Sequence, residues 1–219
     1  MAALPPRYKR GVPSETEQRV DEQHNDEDLS ERDFSSTVLT RCTFTRCSFR
    51  VAKLIESKVH GCTFVECDFR GANLSSCRFE STALLHCQFG FTSFMGTQLI
   101  GCKLTGSTLV REDLSMATID EGDWSLVNLR ECNLERLDLR KVRLRESDLT
   151  HARLERADLR HADLSGASLD GVRLRGADLR GANLERLNLA ALPLKGVRLD
   201  LQQAALIVTA LGARVEDDV

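Results

Sequence analysis

The sequence has few aromatic residues, no long apolar run and no excess of charge of one sign. Phe, Trp and Tyr together supply 5% of the 219 residues, and the formal net charge is −3. A near-neutral chain lacks the basic signature of a nucleic-acid binder, so we expect no nucleic-acid partner. No stretch approaches the roughly 18 consecutive apolar residues of a membrane-spanning helix. The N-terminal residues also lack the apolar centre of a secretory signal, so the expected location is the cytoplasm, without membrane contact.

A period of five residues dominates the rest of the chain. From Leu29 to Leu199 every fifth residue is apolar, and no insertion shifts this register. These 35 positions hold 24 Leu, eight Phe, one Val, one Ile and one Trp. The residue two places before each of them is mostly small, as at Cys42, Ala52 and Ala152. Such regularity indicates a repeat protein whose core uses a small set of side chains.

This five-residue period fits neither a helix nor a flat strand. On an α-helix a five-residue step turns about 500°, so the large residues would scatter around the helix. Along a strand, side chains alternate with period two, and successive large residues would point to opposite faces. Both conflicts disappear if each repeat is a short extended segment followed by a corner. Glycines two residues after the large position, such as Gly71 and Gly171, suit that corner. The pattern predicts an all-β solenoid.

Residues 157–171 (ADLRHADLSGASLDG) and 176–184 (GADLRGANL) resemble the A(D/N)LXX motif of pentapeptide-repeat proteins. The resemblance covers 29–199 and implies a right-handed quadrilateral β-helix with a short C-terminal α-helix. With about 20 residues per coil and coils about 4.8 Å apart, the rod would be about 42 Å long. We expect Phe49, Phe69 and Phe89 to form one internal column, and Trp124 to occupy the same core.

The chain divides into four expected segments. Residues 1–26 are charged and lack apolar periodicity, which predicts a disordered or loosely ordered tail. Residues 27–199 form the repeat β-helix. Residues 200–212 form a capping and dimerisation helix, with Asp200 as N-cap and Gln203 at the capping-box position. Residues 213–219 form an acidic tail.

The C-terminal helix is apolar on more than one side, since Leu206 and Ile207 lie outside its main stripe. One side can cover the last coil, and the surplus favours a two-fold contact with a second copy of the chain. The alternative is a monomeric cap. The predicted dimer interface consists of Leu201, Ala204, Ala205, Leu206, Val208 and Leu211.

No chemistry is predicted inside the rod. All eight cysteines occupy the small inward position, which indicates reduced core residues; a zinc site is the less favoured alternative, because no histidine shares their position. The five histidines fall at outward or tail positions, and none has a Ser, Cys or Asp partner typical of a catalytic triad. We therefore expect no enzyme activity, no metal and no cofactor.

The outer face carries two kinds of pattern. Aspartates at 138, 158 and 178 run beside arginines at 140, 160 and 180, which favours a solubilising lattice of ion pairs. Near the middle, acids lie beside outward apolar residues, a combination typical of a protein-binding surface. Harmless decoration is the alternative for this second pattern. The candidate binding surface consists of Glu112, Asp113, Asp120, Glu121, Asp123, Phe91, Met95 and Met116.

The layout of one uninterrupted rod followed by a helix resembles the gyrase-targeting pentapeptide-repeat proteins of the Qnr, MfpA and AlbG type. It is most similar in layout to MfpA, because it has no loop insertions. The resemblance implies a homodimer that mimics DNA, binds DNA gyrase or topoisomerase IV, and protects the enzyme from antibiotics that trap cleaved DNA. Since residues 29–199 are close to neutral, mimicry requires a local acidic face such as 112–123. The competing hypothesis is a structural or scaffolding repeat protein with a different protein partner.

Overall fold

The computed structural model describes residues 17–216, which form a solenoid of parallel strands followed by one turn of 3-10 helix and an α-helix. Each strand is three residues long, and the strands fall into two sheets. The first sheet contains β1 (Gln18–Val20), β3 (Val38–Thr40), β5 (Lys58–His60), β7 (Arg78–Glu80), β9 (Gln98–Ile100) and β10 (Thr118–Asp120). The second contains β2 (Gln23–Asn25), β4 (Thr43–Thr45), β6 (Thr63–Val65) and β8 (Ala83–Leu85). The 3-10 turn spans Leu189–Ala191 and α1 spans Leu201–Ala210.

Strand pairing advances by 20 residues per coil. Phe44 pairs with Phe64, and Val59 pairs with Phe79, always in parallel. The remaining sides are joined by isolated bridges with the same spacing, such as the bridge from Asp28 to Ser48. The predicted quadrilateral β-helix of pentapeptide repeats is therefore confirmed.

The core follows the five-residue series. Phe49, Phe69 and Phe89 stack face to face, with ring centroids 4.9 and 5.2 Å apart and planes within 7° of parallel. A second column stacks Phe44 on Phe64 at 4.9 Å. Because the rings repeat at the spacing of the coils, the same contact recurs along the axis of the rod.

Trp124, at the same core position, requires a special neighbour. Its indole is buried, and its Nε1 has no hydrogen-bond partner within residues 17–216. Gly122 occupies the small position beside it with φ +125°, and a Cβ there would lie 3.3 Å from Nε1 and 2.4 Å from the carbonyl oxygen of Cys102. The largest core side chain is thus accommodated where the small position has no side chain at all.

The solenoid begins earlier than expected, which corrects the boundary placed at residue 26. Strands β1 and β2 lie inside the segment expected to be a tail, and they pair with β3 and β4 in the normal register. Arg19 and His24 continue the five-residue series with polar side chains. The ring of His24 stacks on Phe44 at 4.7 Å, and its two nitrogens lie 2.9 Å from the carboxylates of Glu22 and Glu27. Residues 1–16 of the expected tail lie outside the described residues.

The eight cysteines are buried and unpaired. Several thiols contact backbone carbonyls of the coil below; the Sγ of Cys67, for example, lies 3.4 Å from the carbonyl oxygen of Phe44. Burial raises the pKa of Cys77 and of Cys132 to about 12, so these thiols stay protonated and unreactive near neutral pH. Within residues 17–216, no three His, Cys, Asp or Glu residues are arranged to hold a metal ion.

Helix α1 covers the C-terminal end of the solenoid through Gln203 and Ile207. The Asp200 side chain accepts from the backbone N–H of Gln203, and the Gln203 side chain accepts from the N–H of Asp200, as the capping box predicts. The Nε2 of Gln203 donates to the carbonyls of Leu179 and Ala182, at 2.6 and 2.9 Å. No helix among the described residues is long and apolar enough to cross a membrane. Residues 213–216 contain neither helix nor strand, and 217–219 lie outside the description.

Candidate functional site

Three large apolar side chains stand exposed on one side of the rod near its middle. Phe91 is 98% exposed, and Met95 and Met116 are also exposed. Phe91 lies at a corner with φ +57°, and Met95 lies next to the following corner of the same coil. The N–H of Gly96 donates to the carbonyl of Met116 at 3.1 Å, which brings the next coil beside Met95. We name Phe91, Met95 and Met116 the central apolar patch.

Glu112 does not lie on the surface where the sequence analysis placed it. It occupies the small inward position, two residues before Leu114, and is only 5% exposed. Its Oε2 accepts a hydrogen bond from the backbone N–H of Thr92 at 3.1 Å. Burial raises the pKa of Glu112, while the backbone N–H groups of Phe91 and Thr92 oppose that rise. Glu112 is therefore a buried carboxylate next to the central apolar patch.

The other four acids do not form a free anionic face. Glu121 is 3.4 Å from the Nζ of Lys141, and Asp123 is 3.3 Å from a guanidinium nitrogen of Arg143. Both cations come from the next coil, so each acid is half of an ion pair between coils. Asp113 accepts hydrogen bonds from the side chains of Ser115 and Asn133. Asp120 is exposed, and its carboxylate has no hydrogen-bond or ion-pair partner within residues 17–216. The uncompensated negative charge on this surface is thus much smaller than the number of acidic residues suggests.

The columns of aspartate and arginine form a regular lattice. Within each repeat the guanidinium holds the aspartate two residues before it, at 2.6 Å for Arg140 on Asp138 and 2.7 Å for Arg180 on Asp178. Arginines also approach the aspartate of the next coil. The Nε of Arg140, for example, lies 3.8 Å from the Oδ2 of Asp158. The like charges stacked in each column are therefore compensated by their neighbours. The geometry matches the lattice of ion pairs expected from the sequence, and its contribution to solubility stays a prediction.

Asp178 is the most strongly held member of this lattice, and its pKa predicts a pH dependence. The hydrogen bond from Arg180 lowers the pKa of Asp178 from 3.8 to about 2. A lowered pKa means that the pair stabilises the fold fully above the unfolded value of 3.8, and that this contribution is lost as the pH falls through about 2. We expect urea unfolding midpoints of wild type and Asp178→Asn to differ at pH 6 and to converge near pH 2. Midpoints that differ equally at both pH values would contradict the assignment.

The second candidate surface is the outer side of α1. Leu201 is 90% exposed and Leu206 is 56% exposed, and Val208 and Leu211 are exposed as well. Ala204 and Ala205 are half-buried. The side that contacts the solenoid carries Gln203 and Ile207, and the predicted interface residues lie on the remaining surface of the helix. Such a cluster of apolar side chains at the end of a rod is typical of a protein interface.

Comparison with known proteins identifies the repeat. Residues 37–114 match the family model of a pentapeptide repeat region. Residues 125–160 and 157–191 each match a second family model, which describes pentapeptide repeats and consists of eight copies. Among curated protein sequences, none matches this chain significantly.

Solved structures share the fold over nearly the whole chain. Two trypsin-treated forms of QnrB1, a plasmid-mediated fluoroquinolone resistance protein, have TM-scores of 0.80 and 0.79. Their identities are 24% and 25%, and the matches cover 91% and 90% of this chain and 100% and 99% of theirs. Full-length QnrB1 has a TM-score of 0.69 at 22% identity, covering 90% of this chain and all of its own. The sequence repeats, the 20-residue coils and these matches together show that the chain belongs to the pentapeptide-repeat proteins, with a Qnr-type structure.

Proposed function

We propose that the protein binds DNA gyrase or topoisomerase IV and protects it from antibiotics that trap cleaved DNA. The observation that carries this proposal is the similarity to QnrB1, which covers 90% of this chain at 25% identity and a TM-score of 0.79. QnrB1 is a fluoroquinolone resistance protein. A rod filled with leucine and phenylalanine has no internal room for a substrate, so its outer surface must carry the function.

The active form in this proposal is a homodimer joined through the outer side of α1. Exposed Leu201, Leu206 and Leu211 provide an apolar contact that a two-fold axis can make self-complementary. Two rods of about 42 Å joined end to end would match the length of roughly 25 base pairs of DNA. Shape and length thus support DNA mimicry better than bulk charge does.

The acidic residues are proposed to contribute through position rather than number. Asp120 is exposed and its carboxylate lacks a partner within residues 17–216, while Glu121 and Asp123 expose part of their carboxylates beside Lys141 and Arg143. Carboxylates on one side of the rod can replace DNA phosphates against the basic surface that binds DNA.

Charge reversal of this segment provides a test. We expect the triple variant Asp120→Lys, Glu121→Lys and Asp123→Lys to bind purified gyrase at least about tenfold more weakly, because repulsion replaces attraction. Surface plasmon resonance at two salt concentrations measures the change, and circular dichroism verifies that the rod is folded. The control is Glu56→Lys with Glu66→Lys, which reverses two exposed corner acids elsewhere on the rod. Equal affinity of the triple variant and wild type would show that the acidic segment does not bind.

The competing proposal is a scaffolding protein with another protein partner. The ion pairs of Glu121 and Asp123 favour it, since they leave the rod with little free negative charge. This alternative predicts no measurable affinity for gyrase and a monomer in solution. The same binding experiment on the wild-type protein distinguishes the two.

A further inference from the structure

Two adjacent coils separate locally beside the central apolar patch. In the coil below, the N–H of Gly71 donates to the carbonyl of Gly90 at 2.7 Å, and the N–H of Leu74 donates to Ser93 at 2.9 Å. The equivalent N–H groups one coil up, at Phe91 and Phe94, make no such bond to the described backbone. The ladder of bridges shows the same interruption, because Asn73 pairs with Ser93 but Ser93 does not pair with Asp113. The regular ladder is therefore open on this side.

The carboxylate of Glu112 occupies this opening. In a regular repeat, the N–H of the small residue bonds within its own turn, as Ala72 does to the carbonyl of Phe69 at 2.9 Å. The N–H of Thr92 donates to Glu112 instead, at 3.1 Å. A carboxylate 5% exposed is costly to bury unless it is hydrogen-bonded, and the backbone N–H of Thr92 supplies such a bond. The opening and the buried acid thus stabilise each other.

The side chains around the opening leave Phe91 without cover. Arg111 is the residue stacked above Phe91, and its guanidinium turns to the next coil, where it binds Glu131 at 2.8 and 3.1 Å. The residue stacked below is Gly71, which has no side chain. Phe91 consequently projects into solvent from a fixed corner, beside Met95 and Met116. An almost fully exposed aromatic ring on the same side of the rod as two exposed methionines has the character of an interface anchor.

We propose that Glu112 is a positioning residue for partner binding: it holds the two coils apart and thereby sets the position of the corner at Phe91, whose exposed ring, on the same side as Met95 and Met116, enters an apolar pocket on the topoisomerase. This inference rests on the proposed function, which supplies the partner. Phe91 makes the contact, and Glu112 acts through it. The small position normally holds Ala, Ser, Thr or Cys, so Glu112→Ala provides the usual residue and allows the ladder to close.

The test compares gyrase affinities of wild type, Phe91→Ala, Glu112→Ala and Glu112→Gln. Glutamine keeps the length and one acceptor oxygen, so Glu112→Gln should bind within about twofold of wild type, whereas Phe91→Ala and Glu112→Ala should bind at least about tenfold more weakly. Hydrogen exchange of the same proteins reports on the opening without gyrase. The Phe94 amide, which makes no hydrogen bond to the described backbone, should exchange more slowly in Glu112→Ala, because it gains a bond to the next coil.

The outcomes separate this inference from the proposed function. Wild-type protein that fails to bind gyrase contradicts both. Wild-type binding together with undiminished binding by Glu112→Ala contradicts the positioning role alone, and undiminished binding by Phe91→Ala contradicts the anchor. Phe91→Ala removes a ring that touches almost nothing, so a folding defect cannot obscure its result.

Discussion

Replacing Phe69 with alanine should lower the free energy of unfolding by about 3–5 kcal/mol, the range for a large buried aromatic residue. The ring of Phe69 is fully buried and is stacked between those of Phe49 and Phe89. It also meets Phe64 edge to face at 5.4 Å. Its removal leaves a cavity between the rings of Phe49 and Phe89, and the regular ladder of coils limits the collapse of that cavity. Urea unfolding followed by circular dichroism measures the loss.

Phe91→Ala is the matched control, because it removes the same side chain from the same rod at a site 98% exposed. Its unfolding free energy should stay within about 0.5 kcal/mol of wild type. In a repeat protein each coil contacts only its neighbours, so hydrogen exchange in Phe69→Ala should accelerate near that coil before it does near α1. Equal destabilisation by the two alanine variants would contradict the stacked core.

Leu206→Asp should convert the proposed dimer into a monomer of 24.4 kDa and abolish the proposed protection of gyrase. A charge at the centre of the exposed side of α1 would have to be desolvated in the two-fold contact, and symmetry would introduce it twice. Leu206 is 56% exposed whereas Ile207 is only 3% exposed, so the rod and helix should remain folded. Light scattering on a size-exclusion column measures the mass.

The control for this variant is Val51→Asp. Val51 and Leu206 are both 56% exposed, and both changes replace an apolar residue with aspartate, but Val51 lies at a corner far along the chain from α1. Val51→Asp should remain dimeric and protective. A wild-type monomer would support the simple capping role, whereas a dimer that survives Leu206→Asp would place the interface elsewhere.

The fold was predictable because its period is carried by every repeat. A single register from Leu29 to Leu199 specifies which residues are inside, and hence the coil and its stacked columns. Polar residues within the same register were misread. Glu112 stands two residues before Leu114, a position that indicates burial, but its acidic neighbours favoured the surface. Likewise His24 stands five residues before Leu29, and only its polarity hid the first coil.

Corners and helix contacts were less accessible to sequence reasoning. Many corners hold residues other than glycine, such as Arg156 with φ +60°, because the corner N–H bonds to the next coil and offsets the cost of this conformation. The side of α1 that contacts the solenoid depends on the carbonyls of Leu179 and Ala182, which lie at the open end. Gln203 binds them across more than 20 residues of sequence. The hydrophobic periodicity of a helix gives no information about hydrogen-bond partners so far away in the sequence.

A gyrase cleavage assay with a fluoroquinolone tests the central claim most directly. The purified protein is titrated into gyrase, plasmid and drug, and linear and supercoiled DNA are quantified together. The account predicts that linear DNA decreases at concentrations that leave supercoiling intact, and that the Leu206→Asp variant does not have this effect. Unchanged linear DNA at every concentration of the wild-type protein would contradict topoisomerase protection.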